Sequence, residues 1–395
     1  MRIAHIVRRY SRTEWGGTET VVAHTVEEQL ARGHEPRVFA TNALQAADPS
    51  ESLPPNAEVF DYVYPYWPMP AKDQLALDKK GGSPYAPQLF RAVRAFQPDL
   101  IHIHAGGRLA VAAVRLAEEL GVPSVMSLHG GAAVVPQSEI DEMLRPLKRK
   151  FPYGGLVDRL LGWRFDPLTR VGAIVCISRA EEARLQALYP GRRIRYVPNG
   201  VAAAPRVTRR TDQPTRNLLC VSRIDYQKNQ VALVEALTKL PMNCRLTLVG
   251  PITAAWYAEK IRACAQELGV ADRVTLIPGL PPGSAELEAA FAAADVFVLP
   301  SVHEPFGIVA LEAMQRGLPL VSSNVGGLPD FVADGANGLL FEPTDAAALA
   351  SAITRVLDEP GLAERLIAGG LETSARFAWP RVIDDLDRVY AEVSA

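Results

Sequence analysis

The chain has 395 residues, 48% apolar and 22% charged, the make-up of a globular protein with material for about two domains at ~100–200 residues each. Disorder, collagen-like structure and a disulfide scaffold are excluded, and no apolar run reaches the ~18 residues a membrane span needs. The net charge of −2 argues against a general nucleic-acid binder, yet it is uneven: residues 1–205 carry +4, the remainder −6, and 143–195 alone +8.

In chain order, MRIAHIVRRY reads as a first strand, Arg2–Val7, and not as a signal peptide. Further strands are expected at Pro36–Thr41, Val59–Val63, Leu100–His104, Ser124–Leu128, Ile174–Ile177 and Ile194–Val197. A second series follows at Leu218–Val221, Arg245–Val249, Val274–Ile277, Val296–Leu299, Leu320–Ser322 and Gly338–Phe341. Helical periodicity fills most gaps, as at Thr18–Ala31, Arg108–Leu120, Asn229–Lys239, Ala254–Leu268 and Ile308–Arg316. Near-continuous apolar strands alternating with amphipathic helices imply parallel sheets covered on both faces. The polar segment Ala202–Thr215 divides the two series and reads as a linker. The expectation is two tandem, doubly wound Rossmann-like α/β domains facing a cleft, with ligands beyond the carboxyl ends of the strands. Two stretches resist the pattern: Asp61–Gln88, rich in Tyr, Pro, Trp and Gly, and the basic Ala132–Pro167. Cys176, Cys220, Cys244 and Cys264 have no metal-site spacing, so a reduced, cytoplasmic protein is expected.

Three motifs carry chemistry. Trp15-Gly16-Gly17-Thr18-Glu19 follows the first strand and opens a helix; it is either a tight turn or a place where backbone approaches a phosphate. Arg223 and Lys228 flank a loop at the end of the second half's first strand, where two cations suit a diphosphate, although surface charges would read the same. In Leu299–Met314, LPSVHEPFGIVALEAM, a strand ends, Glu304 to Gly307 turn, and a helix begins near Ile308. The N–H groups of Phe306, Gly307 and Ile308 have no intrahelical partner there, and Glu304 and Glu312 can accept from vicinal hydroxyls. The bland alternative for Glu312 is a solvated position or a partner for Arg316.

Together these residues resemble the retaining glycosyltransferases of glycosyltransferase family 4, which have the two-domain GT-B fold. EPFGIVALE matches the family's E-x7-E motif, Arg223 and Lys228 its Arg/Lys pair, and Gly16-Gly17 its glycine turn. SSNVGGLPDFV (322–332) and DGANGLLFEP (334–343) look like the segments that follow. Ser222 and Asn229 depart from the pattern, standing where glycines are usual.

The resemblance implies that Glu312 binds the ribose of a nucleotide-sugar donor, and that Arg223 and Lys228 hold its diphosphate. It implies that Glu304 and the N–H groups of Phe306, Gly307 and Ile308 contact the transferred sugar. Gly17 would approach the diphosphate and Gly279 would lie near the base. His129 would stand near the donor sugar as a catalytic-site residue; a strand-end histidine satisfied by backbone is the alternative. His102 and His104 alternate with Ile101 and Ile103 and so share one strand face; His104, at the carboxyl end, reads as acceptor-side, His102 as structural, and His303, beside Glu304, as a donor contact. Residues 1–205 would form the acceptor-side domain, 206–376 the donor domain, and helix 377–395 would cross back onto the first.

The implied activity is retaining transfer of a hexosyl group from a nucleotide-diphosphate sugar, UDP-linked by family frequency, to a hydroxyl of a glycan, glycolipid or small molecule. No metal or other cofactor is expected, the protein cations taking a metal ion's place. A nucleotide-sugar epimerase of the same fold and a non-catalytic sugar-binding protein are the rival readings. Residues 147–151 and 160–165 interleave bases with large apolar side chains, so contact with an anionic membrane surface is a further expectation, against simple packing on the first domain.

Overall fold

The computed structural model describes residues 1–10, 16–42, 56–62, 85–130, 159–160, 162–207, 214–281 and 283–395. They form two contact units: Met1–Pro198 with Val382–Ala395, and Asn199–Arg381.

The first unit is built on a seven-stranded sheet in the order β3-β2-β1-β4-β5-β6-β7. Its strands are β1 (Arg2–Arg9), β2 (Glu35–Thr41), β3 (Ala57–Phe60), β4 (Leu100–Ile103), β5 (Ser124–Ser127), β6 (Ala173–Cys176) and β7 (Ile194–Tyr196). All neighbours pair in parallel. β4 and β5 are buried along their whole length, as expected of strands covered on both faces. Helices α2 (Pro87–Phe96) and α3 (Gly107–Leu120) supply Leu89, Val93, Leu109 and Val114 to a core with Ile101, Ile103 and Ile174. Helix α1 (Gly17–Ala31) follows β1, and α4 (Arg179–Leu188) follows β6.

The second unit repeats the design with six parallel strands. They are β8 (Arg216–Val221), β9 (Cys244–Val249), β10 (Val274–Ile277), β11 (Val296–Leu299), β12 (Leu320–Ser323) and β13 (Leu339–Phe341). Their order is β10-β9-β8-β11-β12-β13. Helices α5 (Gln230–Leu237), α6 (Ala255–Glu267), α7 (Ala285–Ala293), α8 (Ile308–Gln315), α9 (Ala346–Asp358) and α10 (Leu362–Arg376) connect and flank them. Leu233, Leu237, Leu246, Leu248, Val298 and Ile353 are among the residues of its core.

The last helix, α11 (Trp379–Ser394), begins in the second unit and finishes in the first. Its first-unit part is fastened by Arg32, which pairs with Asp384 and Asp387, and by Glu392, which accepts from Arg195. Tyr390 is buried there. On this helix the Asp-x-Asp triplet Asp385–Asp387 is engaged in ion pairs, Asp385 with Arg388 and Asp387 with Arg32. Within the second unit, the Val201 N–H donates to the Phe377 carbonyl at 2.8 Å.

In both sheets the chain runs outward from the first strand in one direction, then returns to start again on its other side. The reversal falls between β1 and β4, and between β8 and β11. Loops leaving the carboxyl ends of such a strand pair diverge and leave a crevice, the ordinary ligand position of a doubly wound sheet.

Candidate active site

In the second unit the residues singled out from sequence lie on the two loops that leave β8 and β11. After β8, Ile224 N–H donates to the Pro251 carbonyl and Tyr226–Lys228 form one 3-10 turn. Asp225 caps that turn, accepting from the Gln227 N–H at 3.0 Å, and its other oxygen lies 3.2 Å from Arg223. The Asp225 carboxylate is 8% exposed whereas the Arg223 side chain is 51% exposed, so a fixed anion aims a guanidinium that remains open to solvent. Asn229 then takes a left-handed conformation, φ 53°, and donates its side-chain amide to the Pro343 carbonyl. Asparagine tolerates this region better than most residues, which explains how the loop keeps its course without the usual glycine.

The β11 loop is stitched to this turn. The Val302 N–H donates to the Gln227 carbonyl at 2.8 Å. Lys228 Nζ lies 2.8 Å from Glu304 Oε2, with 11% and 10% of the two side chains exposed. Ser301 donates to the same carboxylate oxygen. Glu304 and Lys228, 76 positions apart, therefore form one nearly buried ion pair. Phe306 is buried against Phe331 and Phe377, which anchors the turn from beneath. Gly307 caps α8 at φ 96°, a conformation that favours glycine, and a β-carbon there would lie 2.7 Å from Leu328. The N–H groups of Phe306, Gly307 and Ile308 have no backbone acceptor among the described residues.

Glu312, in the second turn of α8, is desolvated, which raises its carboxyl above the ordinary glutamate value. The alternative that it pairs with Arg316 is not what the structure has. Arg316 Nε donates to Glu288 at 3.1 Å and takes only the backbone carbonyl of Glu312. Among the described residues the Glu312 carboxylate has no hydrogen-bond partner. Gly279 follows β10, where its N–H donates to the Ile277 carbonyl and its backbone lies beside Pro251. His303 is half-buried at the head of the Glu304 turn.

In the first unit Gly16 is the N-cap of α1 and Gly17 its first residue. The Glu19 carboxylate accepts from the Gly16 N–H and from Arg9 Nε, closing the turn with a charge pair. Among the described residues, a β-carbon at Gly17 would meet no atom within 4 Å. His129 follows β5, and its Nε2 lies 2.9 Å from His104 Nδ1. His104 is 7% exposed, and its Nε2 contacts His5 Nδ1 at 3.0 Å. Both ring nitrogens of His104 are thus taken, and the acceptor-side expectation for it finds no free polar atom. His102 bonds Tyr390 and Ser127, each at 2.7 Å, within the same buried cluster. Burial lowers all four imidazoles, His5 and His129 to about 4 and His102 and His104 well below the ordinary value, so all are neutral at pH 7. Ring nitrogens of His5, His102 and His104 lie within 4.8 Å of one another, but the nitrogens of this trio are already hydrogen-bonded.

Sequence reading missed Asp225, Gln227 and Ser301, which hold the site residues in place, and His5, Gln29 and Tyr390. Asp225 was within reach, since an Asp two residues before a loop N–H is a common turn cap. His5 was too: parallel pairing sets it opposite His102. The basic residues Lys148, Arg149 and Lys150 lie outside the described residues. Of the neighbouring apolar residues, Trp163 packs on Tyr85 and Phe165 under Arg170, whereas Leu160 is exposed. Among the described residues no helix is long and apolar enough to cross a membrane.

Residues 15–204 match the family described as Glycosyltransferase Family 4, and residues 206–373 the family described as Glycosyl transferases group 1. A D-inositol 3-phosphate glycosyltransferase of Acidothermus cellulolyticus is 30% identical over 96% of this chain and 86% of its own. A glycogen synthase of Mycobacterium tuberculosis is 31% identical over 75% of this chain and 69% of its own. The fold matches a sucrose-phosphate synthase from Thermosynechococcus elongatus, with TM-score 0.73, 24% identity and coverage of 99% and 98%. It also matches an Anabaena protein solved with UDP and glucose, with TM-score 0.72, 20% identity and 99% of each chain covered.

Proposed function

The chain belongs to glycosyltransferase family 4, with two parallel-sheet units of the GT-B kind, and from that premise we propose that it is a retaining, metal-independent hexosyltransferase. As a family member it uses a nucleotide sugar as donor. The finer reading assigns UDP as the nucleotide, on family frequency, and a hydroxyl of a glycan, glycolipid or small molecule as acceptor.

The observation that carries this reading is the buried Lys228–Glu304 pair beside the open Arg223 guanidinium, at the reversal point of the second sheet. Leaving-group departure from a sugar nucleotide places growing negative charge on the diphosphate. Fixed cations stabilise that charge without reorganising, more strongly where water is sparse. An ammonium has three N–H donors. Glu304 takes one of those of Lys228 and orients the rest toward the phosphate. Because Glu304 neutralises Lys228 before substrate arrives, the ammonium tolerates its burial. When the sugar binds, its hydroxyls donate to Glu304 and the N–H groups of Phe306, Gly307 and Ile308 donate to the sugar oxygens. Glu312, desolvated and with no hydrogen-bond partner among the described residues, receives the ribose hydroxyls, and Gly279 lies by the base. Within the first unit, Gly16, Gly17 and His129 are the residues assigned to ligand contact. No protein nucleophile is assigned: the acceptor hydroxyl attacks from the face the diphosphate leaves, and the diphosphate takes its proton.

The test is incubation with UDP-sugars in excess EDTA, with inositol phosphate and oligosaccharide acceptors offered in parallel, and proton NMR of the products. An α-linked product from an α-linked donor supports the reading. A β-linked product, or a strict need for magnesium or manganese, overturns it. Conversion of the sugar nucleotide with no acceptor present replaces it with an epimerase. For the membrane expectation, sedimentation with anionic vesicles at low salt is the check; equal behaviour on neutral vesicles removes it.

A further inference from the structure

The buried polar cluster of the first unit is one continuous chain of hydrogen bonds. His129 Nε2 meets His104 Nδ1 at 2.9 Å, and His104 Nε2 meets His5 Nδ1 at 3.0 Å. His5 Nε2 meets Gln29 Oε1 at 2.8 Å, and Gln29 Nε2 donates to Tyr390 Oη at 3.2 Å. Tyr390 Oη meets His102 Nδ1 at 2.7 Å, and His102 Nε2 meets Ser127 Oγ at 2.7 Å. β1, β4 and β5 supply or lead into the imidazoles and the serine, α1 supplies Gln29, and α11 supplies Tyr390.

A neutral imidazole has one donor nitrogen and one acceptor nitrogen. In a chain of neutral rings, fixing the direction of one bond therefore fixes every other. Gln29 is the one member whose donor and acceptor cannot be exchanged by moving a proton. Its carbonyl oxygen faces His5, so His5 carries its proton on Nε2 and leaves Nδ1 bare. His104 must then donate from Nε2, and so must His129. On the other side the Gln29 amide donates to the Tyr390 oxygen, the hydroxyl donates to His102 Nδ1, and His102 donates from Nε2 to Ser127. Every proton lies on Nε2.

The chain ends at His129 Nδ1. This atom is buried and has no hydrogen-bond partner among the described residues. With the direction above it is a bare lone pair. With the amide turned over, every bond reverses and the same atom becomes a buried, unpaired N–H. Orphaned buried N–H groups are rarer than under-used acceptors, so the end of the chain favours the same direction as its middle.

We propose that Gln29 is a positioning residue which, through His5 and His104, fixes the proton of His129 on Nε2 and holds His129 Nδ1 as an acceptor for a hydroxyl on the ligand. That the hydroxyl belongs to a sugar rests on the function proposed above; the tautomer does not, and it is measured without ligand. His129 in this state accepts from an O–H and cannot donate to an oxygen lacking a proton. Tyr390 belongs to the other arm and sets His102.

The experiment is a two-bond proton–nitrogen correlation spectrum of the full chain labelled with nitrogen-15 histidine, at pH 7 and free of ligand. All four buried rings are expected with the proton on Nε2. His129 protonated on Nδ1 overturns the proposal in the wild-type protein, with no variant needed. Gln29→Leu is expected to lose the single Nε2–H form of His104 and His129, whereas Tyr390→Phe is expected to lose it for His102 alone. Rings of His104 and His129 unchanged in folded Gln29→Leu would also overturn it, since a merely structural glutamine changes stability and leaves the distant ring's proton alone. A change in the His5, His102 and His104 signals on adding EDTA would overturn it in another way, by showing that a metal ion holds those nitrogens.

Discussion

At the scale of single residues, the Lys228–Glu304 pair makes the sharpest claim. Each side chain is about nine-tenths buried, so removing one partner strands the other's charge. Lys228→Met should cost about 3 kcal/mol or more in urea unfolding, and adding Glu304→Gln should restore most of that loss. Additive losses in the double variant would mean that the two charges do not interact. Arg223→Ala, by contrast, should leave stability near wild type, because its side chain is half exposed. Glu312 makes a pH-dependent claim. Burial raises its carboxyl in the fold, so the native state holds its proton more tightly than the unfolded chain does. Its contribution favours folding at low pH and is lost as pH rises through the raised value. Glu312→Gln should therefore be more stable than wild type at pH 7, the gain disappearing below about pH 4, near an unperturbed glutamate. An unchanged denaturation midpoint at pH 7 would contradict a desolvated Glu312. Both carboxylates were legible from their place around a strand-to-helix turn. That Lys228 reaches Glu304 was not, because nothing local links side chains 76 positions apart.

At the scale of elements, the strands were the most legible. Parallel strands with apolar side chains on both faces read as short runs such as VFVL, and the observed β11, Val296–Leu299, is that run. Helix limits shifted by a residue or two where capping decides them, as at Gln230, which follows the left-handed Asn229. The loops carried a further device. Gly326, in the loop after β12, adopts φ 56°, and a β-carbon there would lie 1.9 Å from the Glu304 carbonyl oxygen. The Gly327 N–H donates to that same carbonyl at 3.1 Å. The two glycines thus let one loop lie against the backbone of another and set the height of the Glu304 turn. Gly326→Ala should cost more than about 2 kcal/mol, through backbone strain and the clash together, and should lower turnover beyond what the stability loss explains. Thermal unfolding and steady-state kinetics on the variant are the check. An alanine variant with wild-type melting would show that the loops do not meet this closely. The sequence pair Gly-Gly matched a family segment, but its partner loop was not readable from spacing.

At the scale of the whole molecule, the buried histidines tie acid stability to the first unit. His5 titrates near 4 in the fold against 6.5 in the unfolded chain, because burial penalises its charged form. A depressed histidine contributes stability fully above pH 6.5 and loses it as pH falls toward 4. For His5 alone the loss is about 3 kcal/mol, at 1.36 kcal/mol per unit. His129 adds in the same direction, as do the coupled His102 and His104. Urea midpoints should therefore fall steeply between pH 6.5 and pH 4, and Gln29→Leu should not abolish the trend, because burial causes it. A flat profile over that window would contradict the neutral, buried cluster. Sequence placed His102 and His104 on one strand face by alternation, but the approach of Tyr390, 288 positions away, depends on where the last helix docks.

The central claim is that the second unit binds a nucleoside diphosphate through Arg223 and Lys228. Calorimetric titration of UDP into the wild-type chain, Arg223→Ala and Lys228→Ala, all in excess EDTA, tests it most directly. The prediction is binding to the wild type without metal, weakened in each variant by about 1.5–3 kcal/mol, roughly ten- to two-hundredfold. Equal affinity in all three proteins, or wild-type binding that appears only with a divalent cation, would contradict it.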